Sequence, residues 1–270
     1  MATRRRAPAP GVRRRLVTMR EGALAFEVLS KGAGAPLVYF HSYHERGGWP
    51  ALLDRLASRT SVRAPIHPGV AGSAGVERLD DLFDLILAYD ELLTALRVRS
   101  AHLVGHAFGG MVAAEMAAVF PHRARTLTLV SPLGLWHDER PSADVLILPP
   151  DELMAALWRD PQSEVARAWA ALPRTEQENI EAQIESIARR AAMGKFAWPI
   201  PDRGIGKRLH RIAAPTLVLW GEDDRANPVS YAGEWQRLVK GAALRLVPGG
   251  HMVEHESPDA VATAILEHIQ

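Results

Sequence analysis

At 270 residues, with 47% hydrophobic and 23% charged residues, the chain is sized for one soluble globular core and a small inserted subdomain. Its formal net charge of +1, from 32 basic against 31 acidic residues, exerts no pull toward nucleic acid or an anionic membrane. The absence of cysteine excludes a disulfide framework, a thiol nucleophile and a thiolate metal site, and it fits a cytoplasmic protein.

Residues 1–14 read as a flexible basic tail, with arginine triplets at 4–6 and 13–15 around an Ala/Pro stretch. A twin-arginine export signal needs an apolar run next, and residues 16–21 are too short and too charged for one. No run approaches the ~18 apolar residues of a membrane span. Residues 15–19 and 24–29, split by Arg20-Glu21-Gly22-Ala23, predict an opening hairpin. The short apolar run over 37–41 predicts an interior strand. Helical spacing of Trp49, Leu52, Leu53 and Leu56 predicts a helix over 49–57. A brief strand over 62–65 leads into the glycine-rich loop 67–73. Leu82, Leu85, Ile86, Tyr89, Leu92, Leu93 and Leu96 line one face of a long helix over 79–96.

A buried strand over 101–104 then meets a small-residue helix over 111–117. Between them stands L-V-G-H-A-F-G-G, whose glycines at 105, 109 and 110 permit a sharp turn and a close helix–sheet approach. A further strand follows over 126–130. Strands alternating with helices predict an α/β fold with a mostly parallel sheet. The alternation breaks after Ser131, and helical patches at 150–158, 162–171 and 175–193 follow, the last opened by a Thr175/Glu178 capping box. Strands over 216–220 and 244–247 and helices over 230–238 and 257–269 then restore the sheet pattern. The glycine-rich loops lack the lysine of a phosphate-binding loop, and no G-x-G-x-x-G is completed in place, so no cofactor is expected.

Five features in order resemble the α/β-hydrolase superfamily over nearly the whole chain. They are the strand ending His41-Ser42, the loop H-P-G-V-A-G-S at 67–73, the elbow at 105–109, the segment 219–225 ending in Glu222-Asp223-Asp224-Arg225, and Pro248-Gly249-Gly250-His251. The resemblance implies a mostly parallel central sheet flanked by helices, with a core over 15–134 and 208–270 and a helical cap over 135–207. It implies His251 as general base and Asp224 as the acid that orients it, with Asp223 as the adjacent alternative. The nucleophile position is Ala107. An oxyanion hole would use the N–H groups of Phe108 and Tyr43. Where the family usually has His-Gly, this chain has His41-Ser42, which puts the loop's turn in question. His44 and Glu45 are unusual additions there, read either as substrate contacts or as solvated loop residues.

Ser42 and Ser73 are the nearby hydroxyls, and neither shares the elbow's geometry. No metal ligand framework is evident, since His41 with His44, or His251 with Glu254 and His255, make partial sets at most. The cap would roof an apolar pocket lined by Ser42, His44, Leu133, Leu135, Trp158, Trp169, Phe196, Trp198 and Met252, for a small-molecule substrate. Monomer and homodimer both fit.

A methyl group at position 107 can neither attack a carbonyl nor donate a hydrogen bond. Three accounts follow from it. The chain is a serine-type hydrolase of a small, largely apolar ester or lactone, inactivated at its nucleophile. Alternatively, a His251–Asp224 dyad works without serine, as in lyase-, cyclase- or cofactor-free oxygenase-like relatives. In the third account the protein keeps only a ligand cavity.

Overall fold

The computed structural model describes residues 9–42, 44–45, 48–173 and 175–270. Strands β1 (Arg13–Met19) and β2 (Leu24–Lys31) form the expected antiparallel hairpin, with Leu16 opposite Glu27 and Met19 opposite Leu24. β1 begins at Arg13, so residues 13 and 14, expected in the tail, lie in the sheet. Arg14 is anchored there by an ion pair, its Nε 3.0 Å from the buried carboxylate of Glu27.

Strands β3 (Ala35–Phe40), β4 (Thr60–Pro65), β5 (Ala101–His106), β6 (Ala124–Val130), β7 (Thr216–Gly221) and β8 (Ala243–Val247) complete an eight-stranded sheet among the described residues. Its order is β1-β2-β4-β3-β5-β6-β7-β8, antiparallel as far as β4 and parallel from there on. Strands of a parallel interior are covered on both faces, which explains why all six residues of β5 are buried. In β3 the two-residue period is plain. Val38 and Phe40 join the core on one face, and Leu37 and Tyr39 join the core on the other.

Helix α1 (Ala51–Ala57) starts later than its spacing predicts because Pro50 is extended, and it buries Leu52, Leu53 and Leu56. α2 (Leu82–Ala95) is capped by Asp81, whose carboxylate accepts from the Asp84 N–H at 3.0 Å. The predicted stripe is its buried face from Leu82 to Leu93, while Leu96 is the partly buried residue that ends the helix. α3 (Phe108–Val119) has so few large side chains that it sinks against β5 and β6, buried along most of its length.

Between β6 and β7 the chain leaves the sheet as α4 (Pro150–Leu157), α5 (Glu164–Ala170) and α6 (Glu176–Ala197). Thr175 caps α6 as expected, accepting from the Glu178 N–H at 3.2 Å. After α7 (Ser230–Leu238) and β8 comes a short helix α8 (Val253–Glu256) that was not predicted, and the last predicted helix follows it as α9 (Pro258–His268), with Ser257 non-helical and Pro258 opening its first turn. The expected α/β architecture with an inserted helical cap is therefore present. No helix among the described residues is long and apolar enough to cross a membrane. Because β3 and β5 to β8 run parallel, their C-terminal ends bring Ser42, Ala107, Ser131, Asp224 and His251 to one edge.

Candidate active site

The turn after β5 is forced by close packing. A Cβ on Gly105 would lie 2.2 Å from the Gly109 carbonyl oxygen, and one on Gly109 would lie 2.0 Å from the Phe40 carbonyl oxygen. With the strand and helix this close, the connecting residue must bend sharply, and Ala107 takes φ 49° and ψ −111°. For a residue with a Cβ that conformation costs on the order of 1–3 kcal/mol. It is held by the surrounding backbone. The Ala107 N–H donates to Val130 O at 2.9 Å, and its carbonyl accepts from Leu133 at 3.0 Å and Met111 at 3.1 Å. Phe108 is the first residue of α3, at the positive end of the helix. Tyr43, the other expected oxyanion donor, lies outside the described residues.

At the end of β7, Asp224 is buried and fully engaged. Its Oδ1 accepts from the N–H groups of Ala226 at 3.0 Å and Asn227 at 2.8 Å, and its Oδ2 accepts from His251 Nδ1 at 2.9 Å. That bond assigns the proton to Nδ1 and leaves Nε2 of His251 as the basic nitrogen. Asp223 turns outward and pairs with Arg159 at 3.0 Å. The cap holds the His251 loop in place. The Met252 N–H donates to Leu157 O at 3.0 Å, and Glu256 accepts from the N–H groups of Gly250 at 2.6 Å and Arg159 at 2.9 Å.

Two neutral histidines support the loop after β3. His41 Nδ1–H donates to Ser42 O at 2.9 Å, and its Nε2 accepts from the His67 N–H at 3.0 Å. His67 in turn donates from Nε2 to His41 O at 2.9 Å and accepts at Nδ1 from the Tyr89 hydroxyl. Burial holds the imidazole of His67 well below its ordinary range and lowers that of His41. Ser73 is occupied structurally, its hydroxyl accepting from the Glu27 N–H at 2.9 Å and donating to Ile66 O at 2.7 Å.

His44 and Glu45 are not solvated, contrary to one of the two readings of that loop; both are buried. Burial above all, with the charges of His251 and Arg189, drives the His44 imidazole well below its usual range. Glu45 Oε1 accepts from the Tyr39 hydroxyl and the Ser42 N–H, both at 2.9 Å. Beside it lies His106, a residue the sequence did not single out. His106 Nε2 donates to the backbone carbonyl of His251 at 2.9 Å. Its Nδ1 is 3.1 Å from Glu254 Oε1 and 3.6 Å from Glu45 Oε1, ion-pair contacts rather than well-aligned hydrogen bonds. Burial opposes charge on this ring, but the carboxylates of Glu254 and Glu45 overcome it and raise its pKa to about 10. The same pairing outweighs burial at Glu45 and keeps its carboxyl below the usual range.

A cavity of about 260 Å³ opens beside His251, lined largely by apolar groups that include Leu133, Trp136, Val145, Trp198 and Ile200, with Ser142 and Asp144 as polar exceptions. Of the expected pocket residues, Leu133 and Trp198 line it, whereas His44 and Trp169 line a second cavity of about 260 Å³. The remaining expectations pack elsewhere. Phe196 and Leu135 belong to the main core, with Phe196 stacked on Phe108 at 6.4 Å between ring centroids. Trp158 and Met252 form a separate buried cluster with Leu157, Ala166 and Ala226, and Ser42 is held by Glu45 in the β3 loop.

The chain is 25% identical over 281 residues to a 2-hydroxy-6-oxo-6-phenylhexa-2,4-dienoate hydrolase from Burkholderia cepacia, covering 94% of this chain and 96% of that protein. It is 28% identical over 258 residues to the dihydrolipoyllysine-residue acetyltransferase component of an acetoin cleaving system from Pseudomonas putida, covering 91% of this chain. It spans only 66% of that protein's length. The crystal structure of a membrane phospholipase A, described as a bacterial virulence factor, superposes with a TM-score of 0.79 at 22% identity, covering 96% of this chain and 87% of that one. Residues 32–264 match the alpha/beta hydrolase family, and the chain, with its capped and mostly parallel sheet, belongs to it.

Proposed function

We propose that this chain carries the machinery of a hydrolase for a small to medium, largely apolar ester or lactone, with Ala107 at the nucleophile position. The observation that carries this reading is the backbone of Ala107 itself. A turn at φ 49° and ψ −111° is a cost with no use to a buried methyl group, yet it is the conformation that presents one side chain at the sheet edge. The His251–Asp224 pair at 2.9 Å supports the same reading, because its basic Nε2 is the atom that would take a proton from a hydroxyl at position 107. A relative named as a 2-hydroxy-6-oxo-6-phenylhexa-2,4-dienoate hydrolase supports a small, carbonyl-bearing substrate. As it stands, the chain is strongly impaired as a serine hydrolase.

The test is acyl transfer by the protein and its Ala107→Ser variant across short-chain esters and lactones, with burst kinetics. A gain of ~10³-fold or more with a burst is expected, since the residual catalysis of a triad lacking one member lies about that far or further below the complete site. No gain from a folded variant would overturn the proposal.

One observation favours a second reading, in which His251 acts on water. The cavity beside the site is lined by His251, while Ala107 is fully buried and does not line it. In this reading His251 Nε2 removes a proton from water as the water oxygen attacks the carbonyl. The resulting oxyanion is stabilised at the start of α3, and the leaving alkoxide takes the proton back from His251. Turnover by the unaltered chain that is abolished by His251→Ala and shows no burst would select this reading.

A further inference from the structure

We infer that Glu45, His106 and Glu254, with His255 beside them, form a binding site for a divalent transition-metal ion behind the His251 loop. One donor atom from each of Glu45, His106 and Glu254 lies within 4.8 Å of the other two, and all three residues are buried. Two of the separations are 3.1 Å and 3.6 Å. A tetrahedral ion with bonds of about 2.0–2.2 Å to N and O sets its donors roughly 3.3–3.6 Å apart.

Glu254 is the independent sign that something binds here. Its side chain is 0% exposed, and neither carboxylate oxygen has a hydrogen-bond partner among the described residues. A carboxylate buried without hydrogen bonds is costly, and one imidazolium between two carboxylates still leaves a net negative charge. A dication in place of the Nδ1 proton, with that proton released to solvent, brings the cluster to neutrality. The Nε2 of His255, buried and without a hydrogen bond, lies 3.8 Å from Glu254 Oε1 and stands as an outer neighbour of the three donors.

The surroundings match those of metal ligands. A ligating imidazole commonly donates its other N–H to a carbonyl, and His106 donates to His251 O at 2.9 Å. Glu45 is held in place at the cluster, its Oε1 accepting from Tyr39 and Ser42, and its second oxygen has no hydrogen bond among the described residues. Mixed imidazole and carboxylate donors suit ions such as zinc, cobalt or manganese better than calcium, which prefers oxygen alone. Entry is through the second cavity, whose lining includes Glu45 and His255. The ion would tie together the β3 loop, the residue before Ala107 and the His251 loop.

Full-length protein, stripped by chelator dialysis, is titrated with zinc chloride and with cobalt chloride alone, following heat and the visible absorption of cobalt. One ion per chain with sub-micromolar affinity and cobalt bands typical of a low-symmetry N/O site are expected. Glu254→Gln is expected to weaken binding by ~100-fold or more and His255→Asn by ~10-fold, given that even outer-sphere changes cost 10–100-fold. Asp223→Asn leaves binding unchanged. Absence of stoichiometric binding by folded, unaltered protein overturns the assignment. So does binding that is equally tight in His255→Asn and in a folded Glu254→Gln.

Discussion

The Nδ1–H of His251 meets the carboxylate of Asp224 across 2.9 Å, while Asp223, one residue earlier, faces Arg159 at the surface. Two adjacent aspartates thus have opposite environments, one buried and saturated with hydrogen bonds, the other in an exposed ion pair. In the Ala107→Ser background, Asp224→Asn is expected to lower kcat by ~10⁴-fold, because the amide can stabilise the wrong imidazole tautomer. Asp223→Asn should change stability by no more than about 1 kcal/mol. A proton NMR spectrum gives a check that needs no turnover: the low-field Nδ1–H resonance of His251 disappears in Asp224→Asn and persists in Asp223→Asn.

Gly109 is irreplaceable for a reason of space. An added methyl would lie 2.0 Å from the Phe40 carbonyl oxygen, and neither backbone can yield without moving β3 from α3. Gly109→Ala is therefore expected to cost at least the ~3 kcal/mol at the upper end of overpacking penalties. Urea denaturation measures it, and an unchanged midpoint would show that α3 does not sit this close to β3.

Trp158 locks the cap onto the His251 loop. It is fully buried against Leu157, Ala166, Ala226 and Met252, and the adjacent Leu157 carbonyl accepts from the Met252 N–H. Trp158→Ala is expected to destabilise by ~3–5 kcal/mol. Thermal unfolding checks this, together with proteolysis of the 150–171 segment, which should become faster.

The His41–His67–Tyr89 relay carries a pH dependence. His67 is held neutral by burial in the folded chain, whereas in the unfolded chain it protonates below about pH 6.5. The unfolded state then binds more protons, so stability is fully present above about pH 6.5 and declines as the pH falls below it. Urea midpoints measured near pH 7.5 and 5.5 should show the decline, and His67→Gln should flatten it. An equal slope in the variant would assign the effect to other groups.

Tyr89→Phe removes the donor to His67 Nδ1 and leaves that buried acceptor unpaired. A loss of about 1–3 kcal/mol is expected at neutral pH. A loss of only a few tenths would mean that the relay contributes little to holding the β3 loop.

Much of the scaffold was legible because its signals are local. The leucine stripe of α2, the Thr175 cap of α6 and the glycine frame of the elbow depend on neighbours a few residues away. The buried state of His44 and Glu45 was not legible. Next to Arg46 in the chain they have the look of a polar loop, and they are buried because Tyr39 of β3, His106 at the end of β5 and His251 in the loop after β8 face them. The aromatic residues of the cap divided for a similar reason. Trp198 lines the cavity, whereas Phe196, two residues before it, stacks on Phe108, and the docking of α6 on the sheet decides which is which.

The order of motifs along the chain, by itself, gave the α/β class, the cap insertion and the elbow and His251 positions, and narrowed the acid to Asp224 or its neighbour Asp223, since strand and helix periods and tight turns are written into consecutive residues. Only the tertiary structure decided that Asp224 rather than Asp223 meets His251, and that Glu45, His106 and Glu254 share one buried site. Charges brought together from separate loops interact through distance and desolvation, and neither quantity has a trace in sequence spacing.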